Sequence, residues 1–239
     1  MLTMKKLGFI LIFLTLTIGC KQNKPETKNP VEVVKEQSKI VFGCYPYDKK
    51  DLYKQLDLTS LTDVAYFSYE VNSVDGSPLT IHDWKTTALI DTLKTNNIRS
   101  YLAVTNSGIT NNKKFLTNNF AINTLITKTI ELIVLRNADG VCIIFEEVLK
   151  SDKANYTAFI TLLSQKLKQH NNNYRLNMIV PYIDTNRSLD FEALIPFVDQ
   201  FVIFETDTKL KETSNHTSSI EYYLANKIPS SKLTVAKPL

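Results

Sequence analysis

Residues 138–147, which read ADGVCIIFEE, contain the features that decide the fold. The run Gly140–Phe145 has the length of a strand and is apolar enough to be buried on both faces. Because side chains alternate along a strand, Cys142, Ile144 and Glu146 are expected on one face. The run therefore predicts a buried parallel strand that carries a carboxylate at its carboxyl end.

Similar runs recur along the chain and alternate with helical patterns. Six further strands are predicted at 40–45, 63–71, 99–105, 175–180, 200–204 and 232–236. Helices are predicted at 84–94, 121–135, 156–169, 191–197 and 220–226, with Asp83, Asn123 and Asp152 as capping candidates. Alternating strands and helices without a dinucleotide-binding glycine motif predict an α/β fold of the (β/α)8 TIM-barrel type.

Seven β/α units are predicted, whereas a TIM barrel has eight strands. The sequence stops at Leu239, just after the seventh strand candidate. Either the barrel is naturally short or the sequence is a fragment, and a fragment is favoured. The expectation is therefore an incomplete barrel over residues 39–239, lacking its last strand and helix. A barrel without its eighth strand is expected to leave two unpaired edges.

The N-terminal segment resembles a bacterial lipoprotein signal. The pair Lys5-Lys6 precedes an apolar run, Gly8–Ile18, that is short for a membrane-spanning helix. The run ends in TIGC, similar to a lipobox, in which Cys20 would be acylated; an ordinary secretory signal is the alternative. Residues 21–38 are polar and predict a flexible tether. We therefore expect a protein lipid-anchored in the cell envelope, on the periplasmic side or at the cell surface.

Composition argues against several function classes. The net charge is +4, and six Lys and three Glu within residues 1–38 contribute +3 of it, so the rest of the chain is nearly neutral and no nucleic-acid partner is predicted. Cys44 and Cys142 lie in predicted strands and are expected to be small buried residues rather than a disulfide. The three His show no ligand spacing, so neither a metal nor a cofactor is predicted.

The central stretch resembles the D-G-x-D-x-D-x-E signature of glycoside hydrolase family 18. Asp139, Gly140 and Glu146 match it, while Cys142 and Ile144 replace its two later Asp residues. Further resemblance follows in order at 41–47, 61–77, 102–106, 201–207 and 232–239. It is nearest to bacterial members acting on peptidoglycan-like glycans, such as spore-cortex N-acetylglucosaminidases. The resemblance implies a chitinase-like barrel over about residues 40–239.

The resemblance also implies a mechanism and a damaged site. In the family, the final Glu protonates the glycosidic oxygen and the substrate's own acetamide attacks the anomeric carbon. The Asp that holds this acetamide is replaced by Ile144, and the Tyr of the family's M-x-Y-D motif falls at Thr206, although Asp207 is retained. Glu146 is therefore the catalytic candidate. Candidate substrate contacts are Tyr45, Tyr69, Asn106, Thr206 and Asp207, with Asp139 and Gly140 as structural residues of the motif.

Three functions remain open at this point. The chain is expected to bind N-acetylglucosamine-containing polysaccharide, peptidoglycan or chitin-like, without cleaving it. Alternatively, it is a residual glycoside hydrolase that uses Glu146, or a barrel that serves as an envelope scaffold or binds a partner. Sequence leaves open whether it is an enzyme. The expected contact with the membrane is through the lipid anchor only.

Overall fold

The computed structural model describes residues 39–204 and 216–239. Its strands are β1 (Phe42–Pro46), β2 (Asp63–Val71), β3 (Pro78–Thr80), β4 (Arg99–Asn106), β5 (Gly140–Phe145), β6 (Arg175–Val180), β7 (Gln200–Ile203) and β8 (Leu233–Pro238). Its α-helices are α1 (Leu89–Thr95), α2 (Ile109–Leu116), α3 (Asn119–Arg136), α4 (Lys153–His170), α5 (Phe191–Leu194) and α6 (His216–Ala225). None of the helices described is long and apolar enough to cross a membrane. The predicted signal, tether and acylated Cys20 lie outside the described residues.

Seven parallel strands form a closed barrel. Their order around it is β1, β2, β4, β5, β6, β7 and β8, and the short β3 pairs antiparallel with β2 outside this ring. Closure comes from β8, in which Ala236 pairs with Phe42 of β1. The TIM-barrel prediction is confirmed, but the expectation of two unpaired edges is wrong. The seventh parallel strand pairs directly with the first.

All seven predicted strands are present, with ends within about two residues of those predicted. The helices agree less closely. The helix predicted from position 84 begins at Leu89, because the preceding residues form turns. The N-cap of α3 is Asn118 rather than Asn123, and its side chain accepts from two backbone N–H groups of the first turn. Asp152 occupies the N-cap of α4 without a side-chain capping bond.

Strand side chains divide between two apolar regions, as the alternation of a barrel requires. Inside the barrel lie Phe42, Cys44, Ala65, Tyr101, Ala103, Cys142, Ile144, Val202 and Ala236. The opposite faces pack against the helices, where Trp84 is fully buried and its indole N–H donates to the Leu132 carbonyl at 3.0 Å. Cys44 and Cys142 are both buried and free, as predicted. Burial raises the pKa of both thiols, so neither is an activated nucleophile.

An ion pair between a buried carboxylate and a partly exposed arginine lies at the amino-terminal end of the barrel. Arg99 donates to both carboxylate oxygens of Asp63 at 2.7 Å, and the hydroxyls of Thr62 and Tyr101 donate to the same carboxylate. Burial alone would raise the pKa of Asp63, but these donors outweigh it and hold the pKa below its usual value. The carboxylate is therefore charged and fully hydrogen-bonded where β2 and β4 begin.

Candidate functional site

The site is built at the carboxyl end of β5, where barrel active sites lie. Ile144 points into the barrel, Phe145 packs outside it, and Glu146 follows at the mouth with an exposed side chain. The backbone of Glu146 is held on both sides, since its N–H donates to the Asn106 carbonyl at 2.9 Å and its carbonyl accepts from the Asn112 amide. The backbone at this position is therefore fixed, while the side chain is exposed at the mouth.

The two bonds to the Glu146 backbone belong to a buried polar chain. Ser73 donates to the Asn106 amide oxygen at 3.1 Å, and the Asn106 amide nitrogen donates to Asn112 at 3.0 Å. All three side chains are more than nine-tenths buried. Because every link is a satisfied hydrogen bond away from water, the chain fixes the loop geometry rather than contacting a ligand.

A cleft of about 590 Å³ opens beside Glu146 at the ends of β5, β6 and β7. Its floor is apolar and is formed by Ile144, Ile179 and Phe204. Phe204 also packs against Phe67 across the barrel, with ring centroids 6.2 Å apart. The upper walls are Glu146, Glu147, Val148, Pro181, Tyr182, Ile183, Thr185, Asn186, Ser188 and Leu189. The cleft is large enough for a sugar ring and its substituents.

Among the described residues that line the cleft, carboxylates lie at its rim and none lies at its floor. Glu146 and Glu147 are exposed, whereas Asp184 is 4% exposed. The Asp184 carboxylate accepts from the Ser188 N–H and hydroxyl and from the Leu189 N–H. Among the described lining residues, only the two rim glutamates therefore present carboxylates to a ligand. An amide group placed on this floor would find no hydrogen-bond partner in the side chains of Ile144, Ile179 and Phe204.

Comparison with known proteins settles the family. The sequence model described as glycosyl hydrolases family 18 matches residues 40–239. The chain belongs to this family. No match was found among curated proteins. The family 18 assignment and the closed α/β barrel agree with the resemblance that the sequence carries.

Solved structures of family 18 type share the fold at low identity. A Bacillus subtilis protein described as a sporulation-specific glycosylase is 21% identical, with 73% of this chain and 62% of that chain covered and a TM-score of 0.61. The Bacillus megaterium spore cortex-lytic enzyme SleL is 14% identical, with 83% of this chain and 50% of that chain covered and a TM-score of 0.68. A Cycas revoluta class V chitinase mutant in complex with (GlcNAc)3 is 13% identical, with 82% of this chain and 67% of that chain covered and a TM-score of 0.69. The chain thus spans between 50% and 67% of the length of these proteins.

The first two residues of the family 18 motif are structural in this chain. The Asp139 carboxylate accepts from the Ser100 N–H at 2.8 Å, which extends the pairing of β4 and β5 at the base of the barrel. Gly140 has φ +155°, and a Cβ at this position would lie 2.0 Å from the Arg175 carbonyl oxygen. Only glycine allows β6 to approach so closely. Both residues lie at the opposite end of the strand from Glu146.

Three of the candidate substrate contacts are buried away from the cleft. Tyr45 and Tyr69 have 0% exposure and pack on the helix-facing side, and their hydroxyls donate to backbone carbonyls of Lys50 and Gly76. Asn106 is 6% exposed, with its amide used in the polar chain. The structure contradicts direct substrate contact for all three, because their polar groups are satisfied internally. Asn106 acts through the backbone of Glu146 instead.

The remaining candidates and the missed residues lie elsewhere around the mouth. Thr206 and Asp207 fall outside the described residues, so their roles stay predictions. Sequence reasoning missed Asn112, which carries no signal except that it is an asparagine in the first half of a helix. It also missed Tyr182 and Asn186, whose position just after a buried strand could have marked them as mouth residues. In residues 39–204 and 216–239 no three His, Cys, Asp or Glu converge as metal ligands would.

Proposed function

We propose that this chain binds an N-acetylated glycan in the Glu146 cleft and does not turn it over at an enzyme's rate. The observation that carries the proposal is the apolar floor of Ile144, Ile179 and Phe204, with the carboxylates of Glu146 and Glu147 at the rim above it. The described part of the cleft is suited to burying the apolar face of a sugar. It lacks the group that would orient the acetamide oxygen for attack.

The chemistry of hydrolysis explains why this floor matters. Substrate-assisted cleavage in family 18 requires the acetamide to be held and the positive ring to be stabilised as the bond breaks. A preorganised electrostatic group of this kind is typically worth about 10²–10³ in rate. Ile144 can neither donate a hydrogen bond nor carry a charge. The acetamide methyl, in contrast, gains from contact with Ile144 and Phe204, so binding is retained while catalysis is lost.

Calorimetry with N-acetylglucosamine tetramer tests the proposal. Heat of binding is expected for the full chain, without shorter products by mass spectrometry after prolonged incubation. Phe204→Ala removes part of the floor and is expected to weaken binding. Phe120→Ala is the matched control, because Phe120 is 70% exposed on α3 and does not line the cleft. Absence of heat with every N-acetylglucosamine oligomer would refute the proposal.

A second candidate function is residual hydrolysis with Glu146 as general acid. The observation favouring it is that the exposed carboxylate of Glu146 sits on a backbone fixed by Asn106 and Asn112. A reducing-end assay on N-acetylglucosamine polymer should then show slow release that Glu146→Gln abolishes. Glu147→Gln is the neighbouring control. Equal rates for wild type and Glu146→Gln would exclude this candidate.

We also propose that the chain is a lipoprotein of the bacterial cell envelope, anchored through Cys20. The support is the sequence alone, with its charged start, apolar run and TIGC ending. Cells expressing the full chain and fed a labelled fatty acid should incorporate label into the protein. Cys20→Ser should abolish incorporation, whereas Cys44→Ser, a change at a buried strand cysteine, should not. Label retained in Cys20→Ser would contradict the anchor.

A further inference from the structure

The outward face of α3 carries exposed apolar side chains at both of its ends. Phe120 lies at the start of the helix and is 70% exposed, and Val134 and Leu135 lie at its end and are 45% and 60% exposed. At 3.6 residues per turn the three side chains fall within an arc of about 100° on one face. The helix α4, every residue of which is described, also has 18 residues but carries no exposed large apolar side chain. The apolar face therefore distinguishes α3 from the other long helix of the barrel.

The polar side chains at the centre of this face are satisfied within the helix. Thr124 and Thr127 donate their hydroxyls to backbone carbonyls four residues earlier, at 3.0 and 2.9 Å. Lys128 and Glu131 form an ion pair with each other at 2.9 Å. The centre of the face thus has no net charge and no hydroxyl hydrogen left for an outside partner. Another surface can cover it without leaving these groups unpaired.

The turn between β2 and β3 extends one apolar end of the face. The Asn118 side-chain amide donates to the Val74 carbonyl at 2.9 Å, and its oxygen accepts from the Phe120 N–H at 3.1 Å. These two bonds hold the turn against the start of α3, where the Val74 side chain is 55% exposed. Val74 and Phe120 therefore form one apolar end of the face, and Val134 and Leu135 form the other.

The face is complementary to a second copy of itself. Phe120 and Leu135 are about 22 Å apart along the helix, and the midpoint between them falls between Thr127 and Lys128. A second α3, antiparallel about a two-fold axis at this midpoint, brings Phe120 of each copy onto Leu135 of the other. Lys128 of each copy then lies within about one helical turn of Glu131 of the other, so unlike charges also meet.

We propose that the chain forms a symmetric dimer in which the outward faces of α3 pack antiparallel. An 18-residue helix is about 27 Å long, so two such helices at a small crossing angle, with the β2–β3 turns beyond their ends, bury an area near the lower limit of specific interfaces, about 1,200 Å² in total. A dissociation constant in the micromolar range is therefore expected. No described lining residue of the Glu146 cleft belongs to α3, so this inference is independent of the proposed function.

A lipid surface is the other candidate occupant of this face, and the charges of α3 argue against it. Helices that lie on membranes carry many Lys and Arg beside their apolar face. The only cations of α3 are Lys128 and Arg136, and both are already paired, with Glu131 and Asp91. A second copy supplies apolar groups and matching charges, whereas anionic lipid would meet no free cation here.

Cysteine cross-linking of the full chain in cells tests the position of the axis. Thr127→Cys lies next to the proposed axis, so oxidation is expected to convert most of this variant to a disulfide-linked dimer on a non-reducing gel. Gln165→Cys, at an exposed position of α4, is the matched control. The control is expected to give no more dimer than wild type, whose Cys44 and Cys142 are buried.

Two further cysteines test the antiparallel direction. In Thr124→Cys alone, or in Glu131→Cys alone, the equivalent positions of the two copies are displaced by about 10 Å along the helices, which is beyond the reach of a disulfide. When the two variants are expressed together, position 124 of one copy faces position 131 of the other and a cross-linked heterodimer is expected. A dimer from Thr124→Cys alone would indicate parallel helices and would overturn the proposed arrangement.

A charge substitution tests the apolar ends. Phe120→Glu places a carboxylate against Leu135 of the other copy, and sedimentation equilibrium in detergent is expected to show a dissociation constant raised at least about tenfold. Leu135→Lys added to the same chain is expected to restore the dimer, because the carboxylate then meets an ammonium group. Both positions are exposed, so urea unfolding followed by Trp84 fluorescence should show unchanged stability.

The outcomes decide between the possible occupants. Absence of a Thr127→Cys dimer, or an equal yield from Gln165→Cys, would overturn the inference. A dimer that persists in Phe120→Glu would overturn it as well, because the contact would lie elsewhere. A monomeric wild type, together with quenching of Phe120→Trp fluorescence by vesicles of brominated phosphatidylglycerol, would assign the face to lipid instead; the fully buried Trp84 is the unquenched reference.

Discussion

Ile144→Asp is the most direct test of the apolar floor. The change returns the residue of the family signature to its position, but places a carboxylate between Ile179 and Phe204, where the described neighbours offer no cation. Ile144 is 5% exposed. We therefore expect the variant to be strongly destabilised at neutral pH and to show no gain in turnover by itself.

The magnitude follows from two contributions. Removing the buried Ile side chain costs about 2 kcal/mol in lost apolar burial. An unpaired buried carboxylate costs several kcal/mol more, so the free energy of unfolding should fall by about 5 kcal/mol. Burial raises the folded-state pKa of the introduced Asp above its unfolded value of about 3.9. The destabilisation is then largest above the folded pKa and shrinks as pH falls toward the unfolded one.

Urea unfolding followed by fluorescence of Trp84, the sole tryptophan, measures this at several pH values. Ile144→Asn is the matched control, since it has the same size as Asp and no charge. The difference in free energy of unfolding between wild type and Ile144→Asn should not vary with pH. An Asp variant within about 1 kcal/mol of the Asn variant at neutral pH would show that the floor is hydrated, and the reasoning from its apolar character would fail.

Four further substitutions test other parts of the barrel, each by urea unfolding. Asp63→Asn should lower the free energy of unfolding by about 3 kcal/mol, because Arg99 loses its buried partner. Since folding lowers the pKa of Asp63, the advantage of wild type over this variant should disappear as pH falls below about 4. Gly140→Ala should cost more than about 4 kcal/mol through backbone collision. Asn177→Leu should be neutral or stabilising by about 1 kcal/mol, because neither polar atom of its fully buried side chain has a partner among the described residues; a loss would indicate a bound water. Asn112→Ala should lower the free energy of unfolding by about 2 kcal/mol. By calorimetry it should also weaken glycan binding, because the loop that carries Glu146 loses a hydrogen bond.

The barrel could be predicted because its strands carry a strong signal. Runs such as Gly140–Phe145 are buried on both faces, and no helix of that length could bury them. Two elements were missed for the opposite reason. The strand β3 has three residues, and α2 carries Asn and Lys between few apolar positions, so neither has a period to detect. The closure of seven strands could not be predicted, because it depends on how β8 and β1 meet.

The position of Glu146 could be predicted from alternation and from the rule that barrel sites lie at strand carboxyl ends. The same alternation could have excluded Tyr45 as a substrate contact, since Cys44 beside it points into the barrel and Tyr45 must therefore point outward. Tyr69 could not be excluded this way, because by parity with Ala65 it should face inward. A register shift between Phe67 and Tyr69 turns it outward instead. Such irregularities depend on the partner strand and leave no trace in the local sequence.

The two ends of the barrel treat buried polar groups in opposite ways, and this difference bears on function. At the base, Asp63 is paired with Arg99 and accepts from two hydroxyl groups, so its charge is compensated. At the mouth, the signature positions hold Cys142 and Ile144, which need no compensation and pack with the interior. A catalytic carboxylate here would have to be stabilised by hydrogen-bond donors or cations, and the side chains of Ile179 and Phe204 are neither. The described mouth is thus self-consistent as an apolar surface, and restoring one carboxylate would disturb that packing without rebuilding the polar network that hydrolysis requires.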